Sequence, residues 1–253
     1  MKENIDIEKL LPAVKNAGIK IMEIYNLNPE VEIKKDGSPV TIADKAAEKI
    51  LLSKIKELFP NISIVSEENP DSHLIKTSEE FFLVDPLDGT KEFLKRDGKG
   101  SFTVNVAYIR NNDPVLGIVF APALNRLFYT NINGIAFEDN VNGIKKIKVR
   151  QSLKESIVAV ASSSHQDKKT AEWLHNNKIF KTVSVGSSLK FCLVACGEAD
   201  VYPRFGPTME WDTAAGDAVL RAAGGKVENI NGTKFKYGKK NFKNTSFIAK
   251  GDF

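Results

Sequence analysis

Four carboxylate-bearing stretches stand out in this chain of 253 residues. The densest is Phe82-Leu83-Val84-Asp85-Pro86-Leu87-Asp88-Gly89-Thr90-Lys91-Glu92-Phe93. Its apolar start predicts a strand that breaks at Pro86 into a turn holding Asp85 and Asp88. Carboxylates delivered together to one turn can hold hard divalent cations, which prefer oxygen ligands. Gly89 and Thr90 then open a helix, and N–H groups at a helix start favour a phosphate. Metal ligands beside an anion cradle predict metal-assisted chemistry on a phosphate ester. Taken alone, the same residues would also make an Asp-Pro turn followed by a capping Asp. The other stretches are Thr41-Ile42-Ala43-Asp44, Ser66-Glu67-Glu68-Asn69 and Trp211-Asp212.

Positioning these groups falls to elements whose periodicity can be read. Residues 6–27 are predicted helical, with Asp6 as cap and Pro12 marking where the regular part begins. Val31 to Lys34 alternates like a short strand, and a turn is expected over 36–39. Thr41 and Asp44 resemble a capping box with Asp in place of Glu, opening a helix over 42–58 that Pro60 ends. The strand at 62–65 delivers Glu67 and Glu68, which are solvent-facing unless another strand end brings carboxylates beside them. The strand at 81–84 is placed to do so. Residues 101–110, 115–121 and 126–131 read as an antiparallel meander, which 135–138 and 144–149 continue.

Past Gln151 the pattern changes. Ile157 to Ala161 is a near-continuous apolar run, as expected of a strand buried on both faces. Helices are expected over 167–176, 190–195 and 213–223, the last capped by Asp212. Strands are expected at 182–185, 201–204, 226–228 and 246–249. The fold class is therefore α/β in two lobes packed as one unit. Residues 1–150 form an α+β lobe with an antiparallel sheet and most of the candidate ligands, and 151–253 form an α/β lobe with Asp212.

Bulk properties narrow the class further. Hydrophobic content of 42% and charged content of 27% fit an ordinary soluble globular protein. The net charge of +4 comes from scattered lysines, so no nucleic-acid polymer is expected as partner. Cys192 and Cys196 are the only two cysteines and lie in an apolar run, which predicts buried free thiols in a reducing cytoplasm. No apolar run approaches the roughly 20 residues of a membrane span, and the N-terminus has no signal core.

The assembled motifs resemble the inositol monophosphatase superfamily of magnesium-dependent, lithium-sensitive phosphatases. Residues 82–93 carry its Asp-Pro-(Ile/Leu)-Asp-Gly-Thr signature. Residues 210–225, Glu-Trp-Asp-Thr-Ala-Ala-Gly-Asp-Ala-Val-Leu-Arg-Ala-Ala-Gly-Gly, carry its second signature. Lys91-Glu92-Phe93, Gly186 to Phe191 and Tyr202 to Trp211 are most similar to the 3'(2'),5'-bisphosphate nucleotidase branch. The resemblance implies a layered αβαβα sandwich with Mg2+ ions at the lobe junction. It implies Asp85 as bridging ligand, Glu67 and the Leu87 carbonyl completing one ion, and Asp88 and Asp212 completing another. Glu68 would join Glu67 at a weaker third ion. Thr90 with Asp44 would orient or deprotonate the attacking water, with Glu67 as the alternative base. Gly89 and Thr90 N–H groups would hold the phosphoryl oxygens.

For a nucleotide bisphosphate the resemblance points to further contacts. Ser188 and Lys190 would take the second phosphate, Arg204 would add a charged or stacking contact, and Gly186 would allow close backbone approach. His165 would lie near the nucleotide, although Ser163 stands where many relatives carry Arg. Lys190 and Arg204 would otherwise be plain surface charges. The implied reaction removes the 3'-phosphate of 3'-phosphoadenosine 5'-phosphate, clearing a by-product of sulfate activation. The metal ligands read the phosphate and not the leaving group, so inositol 1-phosphate and fructose 1,6-bisphosphate are alternative substrates. A non-catalytic phosphonucleotide sensor is a further alternative, but an acidic cluster repels phosphate unless metal fills it.

Overall fold

Pro12 sets where regular helix begins. A 3-10 turn over Ile7–Leu10 comes first, and the Asp6 carboxylate accepts the Glu8 N–H there at 3.2 Å. Helix α1 then runs Leu11–Leu27, with Pro in its first turn where no N–H is needed. The computed structural model describes residues 5–27, 31–33, 39–75, 79–96, 98, 100–153, 156–162 and 168–253. The expected turn at 36–38 lies outside them. Strands β1 (Val31–Ile33) and β2 (Pro39–Thr41) pair antiparallel as a small ribbon. Helix α2 follows over Ile42–Leu58 and starts on the expected capping box.

Seven strands form the larger sheet: β3 (Ser63–Ser66), β4 (Glu80–Asp88), β5 (Thr103–Arg110), β6 (Asp113–Ala121), β7 (Arg126–Thr130), β8 (Ala136–Asn140) and β9 (Gly143–Lys146). Their spatial order is their order in the chain. Every pairing is antiparallel except β3 with β4, which is parallel. The β5–β6 turn uses Asn111 and Asn112, both left-handed at φ 53° and 65°. Asn tolerates that conformation, which a tight hairpin turn requires.

One expectation is corrected here. Pro86 does not break the strand, because β4 continues through Asp88. Asp85 pairs with Asn105 and Asp88 with Thr103, leaving two β4 residues opposite one on β5. Such a bulge takes the extra residue out of the ladder, so the missing Pro86 N–H costs no bond.

The second sheet has the order β11-β10-β12-β14-β13. Its strands are β10 (Val158–Ser162), β11 (Lys181–Val185), β12 (Val201–Arg204), β13 (Lys226–Asn229) and β14 (Phe247–Lys250). Helices α5 (Leu189–Ala195) and α6 (Ala214–Ala222) lie between the sheets, while α4 (Lys168–Asn176) covers the outer face. A short helix, α3 (Thr90–Lys95), follows β4. Side-chain alternation sorts the layers. Phe82, Val84, Val106 and Tyr108 face α1 and α2, whereas Phe81, Leu83, Ala107 and Ile109 face α5 and α6. In β10 and β12, Ala159 and Val201 point towards α4, while Val160 and Tyr202 point inward. Both faces of β10 are buried, which explains its unbroken apolar run. The result is the expected five-layer αβαβα sandwich. Among the described residues no helix is long and apolar enough to cross a membrane. Cys192 and Cys196 are free, the first buried and the second partly so.

Gly117 on β6 sets how close α6 comes to the large sheet. A β-carbon there would lie 2.4 Å from the Ala215 carbonyl oxygen and 2.9 Å from the Ala218 β-carbon. The obstructing oxygen is backbone, so relief requires shifting α6 and the Asp212 loop before it. Gly117→Ala is expected to cost about 1–3 kcal/mol in urea unfolding, and a wild-type unfolding curve would refute the close packing.

Candidate active site

Parallel pairing of β3 and β4 sets Ser66, the last residue of β3, beside Val84. The Glu67 N–H donates to the Val84 carbonyl at 3.1 Å, extending the ladder one step past β3. Glu67 and Asp85 therefore stand next to each other, one just past β3 and the other within β4. Asp212 arrives separately, from the loop before α6. One oxygen each from Glu67, Asp85 and Asp212 lie within 4.8 Å of one another.

Backbone N–H groups pin the acidic side chains. Leu87 donates to Asp85 Oδ1 at 3.1 Å, Ser188 to Asp88 Oδ2 at 2.6 Å, and Met209 to Asp212 Oδ2 at 2.8 Å. Asp212 thus folds back towards Met209 and does not cap α6 as expected. Thr213 holds the N-cap position instead, without a side-chain cap bond. Burial raises the Asp85 carboxyl well above its ordinary range, and the charges of Glu67, Asp88, Asp212 and Glu68 add to this. Asp212 is raised for the same reasons, by burial first and then by Asp88 and Glu67. Burial pushes Asp88 up to about 7, opposed by Lys190 and the Ser188 N–H. Hard oxygen donors crowded so that they resist ionisation are the donor set that a divalent cation suits. Glu68 contributes charge but is not one of the three converging carboxylates.

Asp44 is fully buried at the start of α2. Its Oδ2 accepts from the Thr41 N–H at 2.7 Å and the Thr41 hydroxyl at 2.8 Å. Its Oδ1 lies 3.2 Å from the Thr90 hydroxyl, which is also 3.3 Å from the Leu87 carbonyl. Burial is the largest influence on the Asp44 carboxyl and raises it, with the Thr41 bonds opposing. Gly89, at φ 90°, lets the chain turn sharply from β4 into α3.

The acidic groups open into a cleft of about 450 Å³, which Leu87, Gly89, Thr90, Lys190 and Arg204 also line. Lys190 is 4% exposed. Its ammonium donates to the Ser187 carbonyl at 2.6 Å and lies 5.2 Å from the Tyr202 ring centre. Burial pulls it down to about 8, while Asp88 acts the other way. The Arg204 guanidinium donates to the Pro207 carbonyl at 3.0 Å.

Two candidates sit differently from the sequence expectation. The Ser188 hydroxyl is not left for a ligand, because it donates to Asn105 Oδ1 at 2.6 Å and lies 2.8 Å from the Thr103 hydroxyl. Its neighbour Ser187 lines the cleft instead. Gly186 does allow a close approach, but to the large sheet's flank. A β-carbon there would lie 2.8 Å from the Ser101 carbonyl oxygen and 2.7 Å from Glu92 Cγ. His165 and Ser163 lie outside the described residues.

Sequence reasoning passed over Ser187, Tyr202 and Thr208, which also line the cleft. Tyr202 carried a readable signal, since it stands two residues before Arg204 on a strand and shares its face. Ser187 carried none, because its place depends on a left-handed φ of 49°.

Known proteins resemble the chain over nearly its full length. Residues 6–250 match the model of the inositol monophosphatase family. The 3'(2'),5'-bisphosphate nucleotidase CysQ of Salmonella typhimurium is 44% identical over 234 residues, 91% of this chain and 93% of that one. CysQ of Escherichia coli K12 is 42% identical with the same coverage of both chains, 91% and 93%. The crystal structure of CysQ from Bacteroides thetaiotaomicron superposes with a TM-score of 0.84 at 34% identity, covering 97% of each chain. A Thermotoga maritima IMPase superposes with a TM-score of 0.77 at 26% identity, covering 94% of this chain and 89% of that one. With residues 6–250 matched by the family model and its layered fold shared over nearly the whole chain, the chain belongs to the inositol monophosphatase family.

Proposed function

We propose that the chain is a Mg2+-dependent 3'(2'),5'-bisphosphate nucleotidase, a phosphoric monoester hydrolase that converts 3'-phosphoadenosine 5'-phosphate to AMP and phosphate. One observation carries this reading. Oxygens of Glu67, Asp85 and Asp212 converge within 4.8 Å at a cleft that Lys190 and Arg204 also line. Acidic groups for a cation and basic groups for a second phosphate suit a substrate with two phosphates. The relatives named as bisphosphate nucleotidases support the same substrate.

In this reading Glu67, Asp85 and Asp212 hold Mg2+, with Asp88 and the Leu87 carbonyl as further ligands and Glu68 beside Glu67 for a weaker third ion. Bound there, the cation would polarise the phosphoryl group and supply an acidified water near neutral pH. The remaining work falls to the chain's own groups. Thr41 occupies one oxygen of Asp44, so the other is left to take the Thr90 hydroxyl proton. The Thr90 oxygen then presents lone pairs to the cleft and orients a water by accepting from it. Proton removal through Asp44 follows that line, and Glu67 is the other base within the site. N–H groups of Gly89 and Thr90 would receive the transferring phosphoryl oxygens. Lys190 and Arg204 would take the second phosphate, with Tyr202 as a wall behind Lys190. The same reading divides the chain into lobes of 1–150 and 151–253 that meet at the cleft, and it places the enzyme in the cytoplasm.

Three outcomes are expected. Phosphate release with Mg2+ should favour 3'-phosphoadenosine 5'-phosphate over inositol 1-phosphate and fructose 1,6-bisphosphate, and Li+ or a chelator should suppress it. Preference for inositol 1-phosphate would keep the cation site and overturn the nucleotide assignment. Asp85→Asn and Asp212→Asn should each lower turnover by more than about a hundredfold, beyond the loss typical of outer-shell changes. Near-wild-type turnover in either variant would remove that residue from the site. Thr90→Ala should lose about 100- to 10,000-fold in kcat, whereas Thr90→Ser should keep most of it. Equal losses in both would show that the hydroxyl is not what matters.

A further inference from the structure

We infer that His73 is a positioning residue whose ring clasps the loop carrying Glu67 to the loop carrying Asp212. The inference rests on the reading of Glu67, Asp85 and Asp212 as cation ligands. Glu67 follows β3, the edge strand of the seven-stranded sheet, which is paired on one side only, by β4. Asp212 belongs to another layer, in the loop entering α6. Among the described residues no sheet pairing joins the two segments.

His73 lies in the 3-10 turn Pro70–Leu74 and touches the neighbour of each ligand. Its Nε2 is 2.8 Å from the Ser66 carbonyl oxygen. A carbonyl only accepts, so Nε2 carries the proton and donates it. Its ring stacks on Trp211, with centroids 4.7 Å apart and planes at 21°. Ser66 immediately precedes Glu67, and Trp211 immediately precedes Asp212.

The far loop is itself braced. Trp211 packs on Phe242 at a centroid distance of 6.1 Å, and the Phe242 carbonyl accepts the Glu210 N–H at 2.8 Å. Asn241 and Phe242 hold left-handed φ angles of 57° and 53°. A bulky residue adopts that conformation only where its surroundings fix it. The Glu210 carboxylate also accepts the Gly238 and Lys239 N–H groups at 2.7 and 2.9 Å. The Asp212 loop is thus a fixed post, and His73 ties the edge-strand loop to it. Converging carboxylates repel one another when no cation is present. The clasp keeps Glu67 and Asp212 together in that state, so less free energy goes into closing the site when the cation arrives. Its signature is Mg2+ affinity, with turnover at saturating Mg2+ largely retained.

The full chain is titrated with MgCl2 as wild type, His73→Phe and His73→Ala. Thermal unfolding and phosphate release are both followed. His73→Phe keeps an aromatic face on Trp211 and removes the donor to Ser66, while His73→Ala removes both contacts. The Mg2+ midpoint, the half-saturating concentration fitted from the thermal shifts, should rise about tenfold in His73→Ala and by less, about threefold, in His73→Phe. In both, kcat at saturating Mg2+ should stay within about twofold of wild type. A lower metal-free unfolding temperature with an unchanged Mg2+ midpoint would make His73 merely structural and overturn the clasp. Should His73→Ala not fold, an unchanged midpoint in His73→Phe overturns it equally. A wild-type protein whose unfolding does not respond to Mg2+ would instead sink the cation reading, and the His73 inference with it.

Discussion

Buried carboxylates repel one another more strongly than exposed ones, because little water lies between them to screen the charge. At an effective dielectric near 20, two charges separated by 4.8 Å repel by about 3 kcal/mol. Even one such pair is a large fraction of the stability of an ordinary domain, about 5–15 kcal/mol, and raised carboxyls relieve it by holding protons. Glu67, Asp85 and Asp212 are therefore held together against a force that competes with folding. Burial first, and that repulsion second, raises the carboxyls of Asp85 and Asp212.

Much of the architecture around the cleft acts to oppose it. Two sheets supply rigid edges, and the bulge at Pro86 falls between Asp85 and Asp88, which both keep their partners on β5. Backbone N–H groups of Leu87, Ser188 and Met209 each satisfy one acidic side chain without adding a counter-charge that would exclude a cation. Lys190 is the exception, a buried ammonium close enough to lower Asp88. It is itself steadied by the Ser187 carbonyl and the Tyr202 ring. A group so fixed can meet a second anion without losing much side-chain freedom. The site is thus negative where a cation belongs and positive beside it, within one cleft.

Most of the framework was legible because its signals are local. The capping box at Thr41 and Asp44, the α1 start near Pro12 and the doubly buried β10 all follow from short-range periodicity and turn chemistry. The acidic cluster was legible as residue types and spacings, and parallel β3–β4 pairing explains why Glu67 and Asp85 meet. What escaped depends on register between distant segments. Pro86 reads as a strand breaker until the bulge opposite Val104 is known. The Ser188 hydroxyl looks available until β5 places Thr103 and Asn105 beneath it. Asp212 looks like a cap because nothing local shows that the Met209 N–H will claim its carboxylate. His73 and Trp211 carry no shared pattern, and only the packing of layers stacks one ring on the other.

The order in which the converging carboxylates occur along the chain has a consequence for synthesis. Glu67 and Asp85 leave the ribosome early, whereas Asp212 follows only after most of the second sheet's strands have been made. Through that interval the nascent chain presents a half-built acidic edge, with neither the Met209–Asp212 loop nor α6 to close it. Domains acquire structure from the N-terminus as they emerge, but this centre cannot be completed that way. The three carboxylates therefore converge only once the loop before α6 has docked beside the β3 and β4 ends of the large sheet. A product terminated before Asp212 would lack the third carboxylate of the cluster altogether.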